Sequence, residues 1–361
     1  MNTVRRLQPI SRVELARVSG LQPSTVSLIV EDLLKSDWLV EGEAVPAQRG
    51  RRPTQLTLAP NRCVIGVDIH PGRTSIAITD IGGQIVWQTV LPLPGDPRKA
   101  LAALTKVIRD VIAAHPERKI EGIGICLPGR TDVLATELIF APNLHWSITS
   151  LKSKIEAATG LRVEMDNVAN ACALSEVWFA ENSDERDLVV VEVSEGLGTG
   201  IFVNGAIARG RGGMAGEFGH IQMADGPLCN CGNLGCWETL ASNRAAVRYY
   251  NEASSAKKKI TFSALLRLSL AEDPDAMTAM RRMAEHLGRG MRMVVAALAP
   301  EEIVIVGEIT AAWHQLGPIV EAHTRKHSLT AATRLRPAYD GGAARLRSAV
   351  ALVLSRSLPR A

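Results

Sequence analysis

Between Gly216 and Glu238 the chain gathers one histidine and three cysteines: His220, then Cys229-Asn-Cys231-Gly-Asn-Leu-Gly-Cys236-Trp-Glu238. Three thiolates and one imidazole make a tetrahedral set for Zn2+. Four protein ligands leave no open position, so the expected ion is structural rather than catalytic. Gly232 and Gly235 permit the positive φ and close backbone approach that wrapping a metal requires. The competing reading is three ordinary buried cysteines. Clustering favours the metal, because the chain carries no secretion signal and its six cysteines suit a reducing compartment better than a disulfide framework. Cys63, Cys126 and Cys172 lie in apolar runs and are expected in the core.

At 361 residues the chain has room for two or more domains. A net charge of +4 says little by itself about a nucleic-acid partner. No apolar run is long enough to cross a bilayer, so a cytoplasmic protein without a membrane partner is expected.

The first sixty residues read as a DNA-binding head. Ser11-Arg-Val-Glu14 is a capping box that opens a short helix, and Gly20 ends it. A second helix starts at Pro23, with Val26, Ile29, Val30, Leu33 and Leu34 as its buried stripe. Two helices joined by a turn form a helix-turn-helix. Gln22, Ser24, Thr25 and Ser27 lie at the N-terminal end of the second helix, the end that enters a major groove. Trp38 to Gly42 and Thr54 to Leu58 read as strands flanking a basic loop. Arg49, Arg51 and Arg52 in that loop suit phosphate contact or a narrow minor groove, unless they are simply a solvated linker. Only Met1 to Ile10 precede the capping box, which predicts a stunted first helix or a start site placed too far downstream.

Glu217-Phe-Gly-His220, followed by Cys-x-Cys-Gly-x-x-Gly-Cys-x-Glu, resembles the signature of the ROK family (repressors, open reading frames and kinases). That family holds sugar kinases and sugar-responsive regulators on a two-lobed, ribonuclease-H-like fold, also seen in actin. The resemblance implies that Glu217, His220 and Glu238 contact sugar hydroxyls. Phe140-Ala-Pro-Asn143-Leu-His-Trp146 is similar to the family's Ala-Pro-Asn-Leu motif, which implies a sugar contact for Asn143. Asn167-Val-Ala-Asn170-Ala-Cys-Ala-Leu-Ser-Glu176 is similar to the kinases' Asn-Asp-x-Asn-Ala-x-Ala-Leu-x-Glu. It adds Asn167 to the sugar set and puts Val168 where the kinases carry their general base. Valine accepts no proton, and general base catalysis typically contributes roughly 10²–10⁴-fold. Asp166 lies two residues earlier; in an extended segment it would point the same way about 7 Å off, beyond hydrogen-bond reach.

Departures cluster on the nucleotide side. The family's first turn, Asp-x-Gly-Gly-Thr, is here Asp68-Ile-His70-Pro71-Gly-Arg-Thr, with bulk where backbone should approach phosphate. Glu308 follows Gly307 where the kinases have a second glycine. Gly196, Gly198 and Gly200 resemble a phosphate loop or form a tight hairpin. No internal repeat is evident in the sequence.

The expected fold class is α/β, with a winged helix-turn-helix over residues 1–60 and a two-lobed ROK sugar-binding domain over 61–361. The first lobe spans about 61–176 plus the C-terminal helix, and the second about 177–340. The expected function is a sugar-responsive transcriptional regulator. It would repress carbohydrate genes and be released when sugar binds a kinase-like domain with no catalytic residues and no enzyme activity. The alternative is an ATP-dependent sugar kinase with an appended DNA-binding head. Expected partners are double-stranded operator DNA, a small sugar effector and further copies of the chain in a homodimer or tetramer, with structural Zn2+ as cofactor.

Overall fold

The computed structural model describes residues 1–44, 54–144, 146, 150–179, 187–254, 260–326, 333–338 and 344–357. The head opens with α1 (Asn2–Leu7), β1 (Ile10–Ser11), α2 (Arg12–Ser19) and α3 (Pro23–Lys35), and closes with β2 (Leu39–Ala44) and β3 (Thr54–Leu58). The Ser11 hydroxyl accepts from the Glu14 amide while Glu14 reaches back to the Ser11 amide, so both ends of the capping box are made. Gly20 ends α2 at φ +69°, a left-handed turn that glycine adopts without steric cost. The three strands form one antiparallel sheet in the order β1-β3-β2.

Val26 and Val30 are buried as expected, but Ile29 is 45% exposed and Leu33 and Leu34 are half-buried. α1 packs on α2 and β3. Arg49, Arg51 and Arg52 lie outside the described residues.

The first lobe follows with β4 (Arg62–His70), β5 (Arg73–Asp80), β6 (Ile85–Pro92), α4 (Pro97–Ala114) and β7 (Lys119–Leu127). A small arm comes next, β8 (Arg130–Thr131) with β9 (Leu138–Phe140), then α5 (Leu151–Thr159), β10 (Val163–Asn167) and α6 (Val168–Trp178). The second lobe has β11 (Leu188–Val193), β12 (Leu197–Val203), β13 (Ala206–Ile207), α7 (Trp237–Ala241), α8 (Asn243–Ala253), α9 (Phe262–Leu270) and α10 (Pro274–Leu298). It ends with β14 (Glu302–Val306), α11 (Trp313–Arg325) and β15 (Arg334–Pro337), and the described chain closes with α12 (Ala344–Ser357).

The two lobes repeat one topology that the sequence does not reveal. Their sheets run β10-β7-β4-β5-β6 and β15-β14-β11-β12-β13. In each, the first three strands of the lobe form an antiparallel meander and the last two add in parallel beside the first. The outer face of the first sheet packs on α4 and α5, and that of the second on α7 to α11. α6 and α12 fill the space between the sheets, with Val168, Cys172, Ala349 and Leu352 packed against Cys126, Val190 and Val304. Gly124 and Gly66 lie under α12. A Cβ at 124 would overlap the Ala349 backbone, so the helix sits where side chains are missing. Cys63, Cys126 and Cys172 are all buried.

Gly198 and Gly200, read from the sequence as part of a phosphate loop or hairpin turn, lie inside strand β12. A Cβ at 200 would strike the Ala169 carbonyl at the start of α6. Close strand-helix packing accounts for this glycine.

Candidate functional site

The metal set is assembled as the spacing implied. Ligand atoms of His220, Cys229, Cys231 and Cys236 all lie within 4.8 Å of one another. Cys231 Sγ is 3.6 Å from Cys236 Sγ, and Cys229 Sγ is 3.4 Å from His220 Nδ1. A Zn–S bond of about 2.3 Å gives a tetrahedral S···S edge of roughly 3.8 Å, so the donors fit zinc in both chemistry and size. Two turns shape the loop: Gly232 at φ +94° and Gly235 at φ +62°, the latter pressed against the Ala224 carbonyl. His220 presents Nδ1 to the cysteines and Nε2 to Glu217, 3.7 Å from its Oε2.

Beside this loop a cavity of about 290 Å3 opens between the lobes. Asn143, Asn167, Glu217, His220 and Glu238, all expected from the sequence, line it together. Glu238 stands in the first turn of α7, next to Trp237, which is wholly buried and donates to the His286 carbonyl at 3.1 Å. That anchored indole fixes the helix that carries the carboxylate. Gly196 leaves room for both polar groups, since a Cβ there would come within 2.7 Å of Glu238 Oε2 and 3.3 Å of Asn143 Nδ2. Burial, with some help from Glu238, raises the Glu217 pKa against the opposing pull of His220 and Arg130.

Asn167 faces the cavity but its amide is partly committed. Its Oδ1 caps α6 by accepting from the Ala169 amide at 2.8 Å, and its Nδ2 donates to the Gly129 carbonyl at 2.6 Å. Asn143 accepts from Asn230 at 3.0 Å.

Val168 also lines the cavity, as the first residue of α6. The chain is not extended from 166 to 168: Asp166 sits in β10, Asn167 caps the helix and Val168 begins it. The extended-segment geometry is thereby corrected. Asp166 is 1% exposed and already committed. Arg209 grips it with both terminal nitrogens, Nη1 at 3.0 Å, while the Asn167 amide and Asn170 Nδ2 donate to Oδ1 at 2.7 and 3.3 Å.

On the nucleotide side, His70 and Pro71 close the β4–β5 hairpin, with Gly72 at φ +77° after Pro71 in the pattern of a type II turn. Glu308 accepts a hydrogen bond from Ser263 at 2.5 Å. Sequence reading missed four residues of this region. Arg130 and Glu192 both line the cavity, and Arg130 Nε is buried without a hydrogen-bond partner among the described residues. Arg209 and Arg345 hold buried carboxylates. For Glu192 a signal existed, a lone acid in the apolar run Leu-Val-Val-Val-Glu-Val. Arg209 and Arg345 find their partners only through long-range folding.

In the head, Gln22, Ser24 and Thr25 are exposed at the start of α3, and Ser27 turns its hydroxyl back to the Pro23 carbonyl at 2.9 Å. Among the described residues no helix is long and apolar enough to cross a membrane.

The xylose repressor of Bacillus subtilis is 30% identical over 314 residues, covering 86% of this chain and 81% of the repressor. The glucokinase of Streptomyces coelicolor is also 30% identical, over 82% of this chain and 97% of the enzyme. A crystal structure described as a ROK family transcriptional regulator, homologue of the E. coli MLC protein, superposes with a TM-score of 0.77 at 28% identity. It covers 98% of this chain, the head included, and 96% of its own. The pattern of the ROK family itself runs through residues 64–356, across both lobes and the loop of His220 and the three cysteines, and the chain belongs to that family.

Proposed function

We propose that this chain is a sugar-responsive transcriptional repressor of carbohydrate genes. Residues 1–60 form the DNA-binding unit, and 61–361 form a sugar-binding domain that does not phosphorylate its ligand. One observation carries this reading. Five polar residues that suit a polyol share a cavity in which the position of a general base is held by Val168, while the nearest carboxylate, Asp166, is buried against Arg209. A pocket built for hydroxyls rejects ligands that lack them, and without an acceptor at 168 nothing demands a 6-hydroxyl. Pentoses, 6-deoxy and 6-substituted sugars are therefore favoured. Asn143, Glu217 and Glu238 supply acceptors, and Arg130 Nε supplies a donor in want of a partner.

Zn2+ would be held by His220, Cys229, Cys231 and Cys236. It fixes the loop that carries His220 against the one that leads to Glu238. Gln22, Ser24, Thr25 and Ser27 would read the major groove, with Arg49, Arg51 and Arg52 on phosphate or the minor groove. A homodimer or tetramer matches a two-fold operator. Sugar binding releases DNA by favouring one of two head arrangements.

Selection of genomic DNA fragments by the zinc-loaded protein at physiological salt tests the regulator, since nonspecific binding fades there. Enrichment of a two-fold site is expected, and only sequence-blind binding would refute the reading. Calorimetry with xylose, fucose and glucose tests the ligand class, and a clear preference for glucose overturns it. The second reading, a sugar kinase with an appended head, draws on the 30% identity to a glucokinase. Coupled ATP turnover with a hexose panel decides between them.

A further inference from the structure

Three buried charges meet where the lobes face each other. Asp68 projects from β4 of the first lobe, Glu192 from β11 of the second, and Arg345 from the first turn of α12 between them. Arg345 Nε donates to Asp68 Oδ1 at 2.9 Å and Nη1 to Glu192 Oε1 at 2.5 Å. All three are under a tenth exposed. His70 Nε2 lies 3.1 Å from Asp68 Oδ2, and the Ser194 hydroxyl donates to Glu192 Oε2 at 3.2 Å. Burial alone would raise the Asp68 pKa, but Arg345 and His70 outweigh it and hold the carboxyl well below the usual range. The guanidinium thus bridges the two lobes through one carboxylate from each.

Glu192 is also a wall of the ligand cavity. Both its oxygens are engaged by the protein, Oε1 by Arg345 and Oε2 by Ser194. A sugar hydroxyl that donates to this carboxylate competes with the Arg345 bridge. Further along the same helix, Val350, Val353 and Leu354 share one apolar cluster with Val64 and Ile81 of the first lobe and with Val4, Ile10, Val30 and Leu56 of the head. From Arg345 to Leu354 the helix advances only roughly 13 Å. Between them Arg347 lies over the Phe179 ring at 4.7 Å, and Arg5 of the head covers the same ring at 5.0 Å. Phe179 caps α6, the helix whose other end carries Val168 in the cavity wall.

We infer that Arg345 is a tethered cation that senses the state of the cavity through Glu192, and that α12 passes this state to the DNA-binding head. With the bridge closed, both lobes grip the first turn of α12 and the head core is set. When a ligand draws Glu192 away, the grip rests on Asp68 alone and α12 shifts against the head. Arg345 is a positioning residue, since it reaches DNA and ligand only through other groups. The inference rests on the repressor reading above, whose regulation it specifies.

The test uses the full-length, zinc-loaded protein and the genomic fragment selected by wild type, titrated by fluorescence anisotropy without sugar. Arg345→Leu combined with Asp68→Asn opens the bridge while removing one of the carboxylates that would be left unpaired. It should weaken DNA binding by about tenfold, within the usual span of coupling between sites. Arg345→Lys keeps the charge but loses the two-way fork, and should give a smaller loss. Zinc content and melting temperature are read alongside, because a bridge that only holds the fold would lower stability and leave the affinity of the folded protein unchanged. Wild-type affinity in Arg345→Lys overturns the inference even where the double variant fails to fold. If wild type selects no fragment, the repressor reading fails and this inference falls with it.

Discussion

The interlobe cleft has two sides that treat polar groups in opposite ways. Toward the zinc loop, Glu217, Glu238, Asn143 and His220 face a cavity, and the buried Nε of Arg130 lacks a partner among the described residues. On the other, each buried carboxylate is closed by the chain's own arginine: Asp68 and Glu192 by Arg345 toward α12, and Asp166 by Arg209 deeper in the fold. A buried polar group needs a partner, from the protein or from a ligand. On the first side Arg130 Nε still lacks one, although Asn143 and Glu238 already accept from Asn230 and Cys229, whereas the second side's carboxylates have theirs. A chain of kinase-like fold can therefore keep an open polar cavity while its buried carboxylates are satisfied internally.

Removing the metal should hit hardest. Cys236→Ser breaks a site whose relatives in small peptides contribute about 10–16 kcal/mol of apparent binding free energy. Zinc measured by mass spectrometry should fall to background, with sugar binding lost as the Glu217–Glu238 wall loosens. Retained sugar binding in metal-free protein would separate the loop from the cavity. On the self-satisfied side, Arg209→Ala strands the Asp166 carboxylate. Stability by urea unfolding should drop by about 3–5 kcal/mol, the usual cost of an uncompensated buried charge. A negligible loss would mean that Asp166 was never committed. Glu238→Gln removes a charged acceptor from the open side. It should cost about 1.5–3 kcal/mol of sugar affinity by calorimetry, with zinc content unchanged. The smallest expected effect is the sharpest contrast. Val168→Asp puts a carboxylate at the kinase position, yet coupled ATP turnover should stay at background, because His70, Pro71 and Arg345 still occupy the far side. Measurable turnover would show that side to be open after all.

The zinc loop was legible because its ligands are near neighbours in sequence, where spacing alone carries geometry. The capping box at Ser11, the strands at Trp38 to Gly42 and Thr54 to Leu58, and the glycine that ends α2 were legible for the same local reason. Asn143 needed the family resemblance, since nothing about a lone Asn-Leu pair announces a cavity. The Arg345 bridge could not be read at all. Its three members come from β4, β11 and α12, and only folding makes them neighbours. Ile29 was misread because periodicity counts apolar residues but not what covers them, and it is 45% exposed. The duplicated lobe topology was invisible for a related reason. Strand order is set by which apolar faces must be buried together, and two unlike sequences can meet that demand with one arrangement.

The place of α12 has a consequence for how the protein is made. It lies between both sheets and shares an apolar cluster with the head, yet it follows the head and both sheets in the chain. The N-terminal helices precede Val350, Val353 and Leu354, which complete the apolar cluster they belong to. Until then the head and both sheets hold exposed surface that belongs under one late helix. Docking of α12 should therefore be a slow, late step of folding, as contacts so distant along the chain demand. A transcript cut short before α12 would yield no half-working regulator, neither a reader of DNA nor a binder of sugar.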